Sequence, residues 1–284
     1  MNMTVRRMEF PFPETLQAWW NPAHPEFSQI VNAASLAMPY LEPYLIATMR
    51  TALDRIEDPQ LRRDVELYIG QESAHFRQHR RLNRRLAALG YGSVPVHEAV
   101  LAADYRRFAK ERSFLFNIAY AEGFEAMALT IGHMLVEERE YLFGGADPAV
   151  SSLVLWHFVE EIEHKTVTFD VLHALDGTYR WRIFGLLYAL THIMARTRQG
   201  YKRLLIDDGL WYRLRSRMAV YRVLLRIFRR LVPRLLRILR PGYNPREVAD
   251  PEWVTRWRAQ AAEGQSGLDR LDTTRLYFPA PVAG

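Results

Sequence analysis

The chain has 284 residues, of which 49% are hydrophobic and none is cysteine, and its formal net charge is +6. This length fits one large domain or two small ones. Without cysteine, disulfides, thiolate metal sites and cysteine nucleophiles are excluded. Any metal would therefore be bound by His, Asp and Glu, a donor set that favours iron, manganese or zinc over an iron–sulfur cluster.

The sequence offers no run of about 20 apolar residues that could span a membrane. The stretch after Arg6 and Arg7 also lacks the long apolar core of a secretory signal. We therefore predict a cytoplasmic protein, with peripheral membrane association as the alternative.

The first long helix is predicted from about Phe27 to Ile56, after a segment rich in proline and aromatic residues. Pro39 and Pro43 predict a kink or local unwinding near Glu42. Glu42 is the single charge in the apolar stretch MPYLEPYLI. Considered alone, Glu42 is a helix-start carboxylate beside a proline. The Glu-x-x-His motifs on later helices favour a role for it as a metal ligand.

The second helix is predicted from Asp58, a helix cap before proline, to about Leu89, which precedes a glycine. Glu72 and His75 form a Glu-x-x-His motif within it. His79 lies one turn later and faces roughly the same way, so we assign it a hydrogen-bonding role beside the ligands.

A third helical region is predicted over about His97 to Phe143, with a break near Ser113. Its second half is apolar except for Glu122, Glu125 and one histidine. The two glutamates are three residues apart and either could face the interior. Spacing alone does not choose between them as the metal ligand or its hydrogen-bonding neighbour.

The fourth helix is predicted over about Pro148 to Asp176. His157, Glu161 and His164 stand at i, i+4 and i+7 on one apolar face. Such groups are costly to bury unless they are paired or bind a metal. Glu160 lies off this face, and we expect it to hydrogen-bond to a ligand.

Two Glu-x-x-His motifs, each preceded by a lone glutamate on another helix, form the ligand set of ferritin-like dimetal proteins. We predict an all-α fold: a ferritin-like four-helix bundle over residues 1–177, with an extension over 178–284 packed on it as part of one structural domain. Two metal ions are expected, iron as Fe/Fe or Mn/Fe, with zinc or manganese as alternatives. A buried salt-bridge network without metal is the competing interpretation.

The extension is predicted to form helices over Tyr179–Leu205 and Leu210–Leu239. Residues 179–246 contain 17 Lys and Arg against two acidic residues. The simplest interpretation is a helix packed on the bundle with a basic outer face. The alternative is peripheral contact of residues 210–240 with an anionic membrane. We predict no nucleic-acid binding, because no recognised motif accompanies the charge.

The stretches Gln71–Asn83 and Trp156–Val171, the Pro39-x-x-Glu42 motif and the RPGYNP run at Arg240–Pro245 resemble the family of predicted metal-dependent hydrolases. The resemblance extends from about Phe27 to Trp257. It implies that Glu122 rather than Glu125 is the third-helix ligand. The family usually has a histidine directly after that glutamate, where this chain has Gly123.

A more distant similarity is to the p-aminobenzoate N-oxygenase family of di-iron enzymes. In that family the last helix bears a histidine four residues before the glutamate of its motif, and His157 occupies this position. The resemblance implies a third histidine ligand and an oxygen-activating centre. The alternative is a histidine of the core or one that hydrogen-bonds to a ligand.

Our first hypothesis for function is a dimetal oxidase or oxygenase that uses dioxygen and an apolar small-molecule substrate. The alternatives are a dimetal hydrolase, whose metals would activate water, and a non-catalytic, membrane-associated metal-binding protein. A homodimer remains open, and no catalytic residue is predicted beyond the ligands. Those predicted ligands are Glu42, Glu72, His75, Glu122, His157, Glu161 and His164. Candidates for lining an apolar pocket are Phe114, Phe116, Tyr120, Phe184 and Tyr188, although a place in the core is the more frequent use of such residues.

Overall fold

The computed structural model describes residues 3–276, and the regular secondary structure of this part is helical throughout. The all-α prediction is thus confirmed. The helices are α1 (Pro25–Leu53), α2 (Pro59–Ala88), α3 (Ser93–Glu111), α4 (Phe114–Glu137), α5 (Arg139–Phe143), α6 (Pro148–Glu163), α7 (Val167–Leu175), α8 (Tyr179–Asp207), α9 (Leu214–Ile238) and α10 (Glu252–Ala262), with a 3₁₀ turn at Pro245–Glu247.

Four helices form the bundle that surrounds the buried acidic residues. Helix α1 packs against α2, α2 against α6, α6 against α4, and α4 against α1, so the four close into a ring. The ferritin-like assignment of this bundle stays a prediction. Helices α8 and α9 pack on the outside of α4 and α1, so the extension shares its hydrophobic core with the bundle.

Side-chain caps mark the starts of α2, α4 and α6. Ser113 accepts a hydrogen bond from the backbone N–H of Phe116 and starts α4, which places the predicted break in the third region. The predicted fourth helix is divided: α6 ends at Glu163, with His164 as its C-cap, and α7 begins at Val167. The last motif histidine therefore lies just beyond the helix that carries its glutamate.

Helix α1 runs continuously through both of its prolines, so of the two alternatives near Glu42 the local unwinding is wrong and the kink stays a prediction. Proline has no N–H, which deprives the carbonyls four residues earlier, those of Ser35 and Pro39, of their helical partners. Side chains of α2 replace those partners: Asn83 Nδ2 donates to Ser35 O at 3.0 Å, and Arg80 Nη2 donates to Pro39 O at 3.2 Å. These bonds tie α1 to α2 on either side of the turn that leads to Glu42.

Two glycines allow α4 and α8 to cross in backbone contact. A Cβ added at Gly123 would overlap with the backbone of Gly185, and one added at Gly185 would overlap with the carbonyl of Ala119. The close crossing leaves no room for a side chain at position 123. The histidine that the family usually has at this position therefore cannot be accommodated here.

We expect Gly185→Ala to destabilise the protein by about 1–3 kcal/mol or more, because the methyl group must push two backbones apart. This cost outweighs the roughly 1 kcal/mol gained in helix propensity. Thermal or denaturant unfolding would measure it. Gly92→Ala is the matched control, since an added Cβ meets nothing within 4 Å there. Equal stability of the two variants would contradict the close packing.

A buried candidate metal centre

Eight ionisable side chains from the four bundle helices meet in the interior. Each is at most 5% exposed. Helix α1 contributes one, α2 three, α4 one, and α6 with its C-cap three. They are Glu42, Glu72, His75, His79, Glu125, His157, Glu161 and His164.

Their ligand atoms form overlapping groups, each with all atoms within 4.8 Å of one another. One group combines Glu72, Glu125, Glu161 and His164. A second combines Glu42 and His75, again with Glu72. Glu161 also belongs to a third group, with His75 and His157. A fourth group combines Glu42, His79 and His157, and Glu72 and Glu161 each belong to two of the four groups.

The carboxylates of this cluster lack the partners that buried polar atoms normally have. Both carboxylate oxygens of Glu42 and Glu72 are buried without a hydrogen-bond partner among the described residues, as is His75 Nδ1, and those of Glu161 meet the imidazoles of His157 and His164 at 3.2 and 3.3 Å. Buried polar atoms are almost always paired, and leaving a charged group unpaired is costly. Unpartnered carboxylate and imidazole atoms that converge on shared points fit divalent metal ions.

The pKa values of the cluster without metal also reflect the cost of burying several carboxylates together. Burial and repulsion from Glu72 hold the pKa of Glu42 well above its ordinary value. Burial and repulsion from Glu161 raise the pKa of Glu125 in the same way. Burial would also raise the pKa of Glu161, but His164 and His157 lower it well below the ordinary value. Without metal, the cluster must retain protons at neutral pH.

The two motif histidines are fixed on the side that faces away from the cluster. His75 Nε2 lies 3.0 Å from Glu160 Oε2, which leaves Nδ1 facing Glu72 at 3.5 Å. His164 Nδ1 lies 3.1 Å from Gln71 Oε1, which leaves Nε2 facing Glu125 at 3.2 Å. Such outer hydrogen bonds orient metal-bound imidazoles in known sites.

An arginine from the N-terminal segment supports this outer layer. Arg6 Nη1 lies 3.0 Å from Glu160 Oε1, and Arg6 Nη2 lies 2.7 Å from Glu163 Oε1. Gln71 Nε2 donates to the same Glu163 at 2.8 Å. Arg6 thus neutralises the charges of Glu160 and Glu163. Glu160 orients His75, and Glu163 bonds to Gln71, which orients His164.

His79 and His157 form a second histidine pair on the α1 side of the cluster. His79 Nε2 lies 3.0 Å from His157 Nδ1, and His79 Nδ1 lies 2.9 Å from Ser35 Oγ. The opposite nitrogen of His157, Nε2, lies 3.2 Å from Glu161 Oε1. Burial is the largest cause that lowers the pKa of both imidazoles, so both are neutral. His79 holds the ring of His157 against the carboxylates.

The α4 carboxylate of the cluster is Glu125, not Glu122. Tyr68 donates a hydrogen bond of 2.7 Å to Glu125 Oε1, while Glu125 Oε2 faces His164. Glu122 lies outside the cluster, and its main electrostatic neighbour is Arg182 on α8. Burial raises the pKa of Glu122 to about 8, which Arg182 opposes. Glu122 is adjacent to Gly123, where α4 crosses α8 in backbone contact.

Three residues that support the cluster were not predicted: Arg6, Tyr68 and Gln71. Gln71 and Tyr68 lie one and four residues before Glu72 on α2, so proximity to the motif was the available signal. For Arg6 there was no signal, because 154 residues separate it from Glu160.

An apolar cavity reaches the cluster at His157. It has a volume of about 400 Å³ and lies between α1, α4, α8 and α9. The aromatic residues that were candidates for either a pocket or the core do not line this cavity. Three of them, Phe116, Tyr120 and Tyr188, instead pack against one another, with ring centroids 5.0–6.3 Å apart.

A family model described as predicted metal-dependent hydrolase matches residues 4–249, which is most of the chain. No curated protein and no solved structure shows significant similarity to the chain.

Proposed function

The chain belongs to the family of predicted metal-dependent hydrolases, and from this premise we propose that the buried cluster binds two metal ions and that the protein hydrolyses an apolar substrate there. The observation that carries the proposal is the set of buried carboxylate oxygens of Glu42 and Glu72 that have no hydrogen-bond partner, on which Glu161 and the imidazoles converge. The ligands we assign are Glu42, Glu72, His75, Glu125, His157, Glu161 and His164. The family description favours this reaction class over the oxygenase expected from the sequence.

Bound metal ions would lower the pKa of a water molecule and polarise the bond to be cleaved. Residues of the chain orient the metal-binding imidazoles and exclude water from the site. Glu160 and Gln71 orient the imidazoles of His75 and His164. Complete burial excludes bulk water, which strengthens the electrostatic interactions within the site. The cavity leaves His157 as the cluster residue that an apolar substrate meets first.

Reconstitution tests this proposal. Metal-free protein is loaded separately with zinc, manganese or ferrous iron, and each form is assayed against p-nitrophenyl esters of increasing acyl length. Metal-dependent hydrolysis that is lost in Glu161→Gln and retained in Glu122→Gln would support the proposal. Absence of hydrolysis with every metal, together with oxygen consumption by the ferrous form, would reject the hydrolase and favour the oxygenase.

Opposite pH trends are expected for metal affinity and for the stability of the metal-free protein. Glu42 and Glu125 have raised pKa values, as do His75, at about 10, and His164. Groups whose pKa is raised by folding stabilise the folded state at low pH and lose that contribution as pH rises through the folded-state value. Metal binding must displace the same protons, so metal affinity rises with pH.

Thermal unfolding of metal-free and metal-loaded protein across a pH series checks both trends. The metal-free protein should lose stability from mildly acidic to alkaline pH, while the stabilisation by metal grows. Calorimetric titration in buffers of different ionisation enthalpy should show proton release on binding. A metal affinity that does not change with pH would contradict the assignment of these ligands.

We also propose that the outer face of α9 contacts anionic lipid. Helix α9 contains eight arginines and no acidic residue. Large hydrophobic side chains are exposed between them, namely Leu214, Met218, Tyr221, Leu225, Val232 and Leu236. An apolar strip flanked by arginine is typical of helices that lie at a membrane surface. No helix within the described residues has the length and hydrophobicity required to cross a bilayer.

Vesicle flotation tests this contact. Binding should require anionic lipid, weaken with salt, and fall about 30-fold in an Arg222→Ala, Arg229→Ala double variant, since each basic residue near such a surface contributes about 1 kcal/mol. The control is Arg63→Ala with Arg77→Ala on α2. Equal binding to zwitterionic vesicles, or no binding, would reject the contact.

A further inference from the structure

The cavity that ends at His157 is enclosed by helices of both the bundle and the extension. Helices α1 and α4 form its inner walls, α8 and α9 its outer walls, and α6 provides His157 and Phe158 at the inner end. Its volume of about 400 Å³ is within the roughly 300–1,000 Å³ usual for small-molecule sites.

The inner walls offer only carbon and sulfur to an occupant. They include Met38 from α1 and Phe124, Met127 and Ile131 from α4. Polar side chains other than His157 lie on α8 and α9, and the single charged one is Arg198. Methionine side chains adapt to chains of irregular shape, and an apolar cavity favours a hydrocarbon occupant over water.

The outer end of the cavity opens at the surface between α8 and α9. Met194 and Tyr221, which line it, are 42% and 57% exposed, and Arg198 is also exposed. The inner end is the imidazole of His157, whose Nε2 lies 3.2 Å from Glu161. A molecule that fills the cavity therefore has one end at solvent and the other at the carboxylate cluster.

We propose that this cavity is the acyl-chain site for a carboxylic ester or amide, so the substrate class is a single-chain aliphatic acyl compound; this rests on the proposed function. The carboxylate cluster that would act on the carbonyl is reached only past His157, at the inner end, so the carbonyl lies there and the hydrocarbon chain extends along the apolar walls toward the polar rim on α8 and α9. In the reaction, water adds to the carbonyl carbon and the bond to the alcohol oxygen or amide nitrogen breaks. The leaving group takes up a proton, which yields a carboxylic acid and an alcohol or amine.

Chain binding can be tested without metal or catalysis. The probes are 1-alkanols from hexanol to tetradecanol, titrated into metal-free protein by calorimetry. Affinity should rise about fourfold per methylene until the cavity is full and then level off. A negative heat-capacity change should accompany binding, since apolar surface is buried. Absence of binding, or affinity independent of chain length, would overturn the proposal.

A matched pair of variants locates the binding site. Ala34 lines the cavity on α1, so Ala34→Phe should fill part of it, reduce dodecanol affinity at least tenfold and shorten the optimal chain. Ala195→Phe is the control, because Ala195 is exposed on α8 and does not line the cavity. Equal alkanol binding by folded Ala34→Phe and wild type would place the alkanols elsewhere and overturn the proposal.

These outcomes are separable from those of the metal centre. Protein that binds alkanols with the expected chain-length dependence but no metal would retain the cavity assignment and lose the proposed hydrolase. Protein that binds two metals and shows no chain-length dependence would retain the metal centre and lose the acyl-chain site.

Discussion

Glu161→Gln is expected to abolish occupancy of both metal positions. Glu161 belongs to the group with Glu125 and His164 and also to the group with His75 and His157. Loss of its charge therefore removes an anionic ligand that both positions share. The affinity for metal should fall by more than the roughly 10- to 100-fold that is typical of residues that only hydrogen-bond to ligands. Hydrolysis should fall to background.

The chain provides a matched control on α4. Glu122 is also fully buried, but it lies outside the cluster near Arg182. Glu122→Gln should keep both metals, whereas Glu125→Gln should lose affinity at the position formed with His164. Metal analysis after dialysis measures all three variants. If Glu122→Gln lost metal while Glu125→Gln kept it, Glu122 would be the α4 ligand, as the family resemblance implies.

Arg6→Ala is expected to destabilise the protein by about 3–5 kcal/mol, because it leaves Glu160 and Glu163 buried without their cation. The side chains of these two glutamates are 0% and 1% exposed, and that of Arg6 is 13% exposed, so little solvent screens the pairs. The same change should weaken metal binding about 10- to 100-fold, because Glu160 orients His75.

Arg7→Ala is the control for this variant, since Arg7 is the exposed neighbour in the sequence. Its unfolding free energy should lie within about 0.5 kcal/mol of wild type. Denaturant unfolding measures both variants, and metal titration of the folded fraction separates the effect on affinity from the effect on folding. Indistinguishable unfolding of Arg6→Ala and wild type would show that Arg6 does not compensate the two glutamates.

Local sequence signals predicted the helices and their caps. Asp58 and Asp147 accept backbone hydrogen bonds at the starts of α2 and α6, as their position before proline indicated. The division between α6 and α7 was missed, because the residues at 164–166 include neither glycine nor proline. The carbonyls that Pro39 and Pro43 leave without helical partners are bonded by side chains of α2, which no local pattern shows.

Sequence spacing brought most of the cluster together correctly, since Glu72 with His75 and Glu161 with His164 lie on facing helices. It could not distinguish Glu122 from Glu125, because that choice depends on how α4 is rotated against helices that are distant in the sequence. Arg6 was beyond prediction for the same reason: its partners lie more than 150 residues away. The metal-ligand roles themselves remain predictions.

The most direct test of the central claim is the metal content of the purified protein, measured by inductively coupled plasma mass spectrometry beside Glu161→Gln and Glu122→Gln. Two metal ions per chain in wild type and Glu122→Gln, and fewer than one in Glu161→Gln, is the result we predict. Wild-type protein that remains free of metal after exposure to zinc, manganese and ferrous iron would contradict it. The eight buried side chains would then be a salt-bridge network without metal.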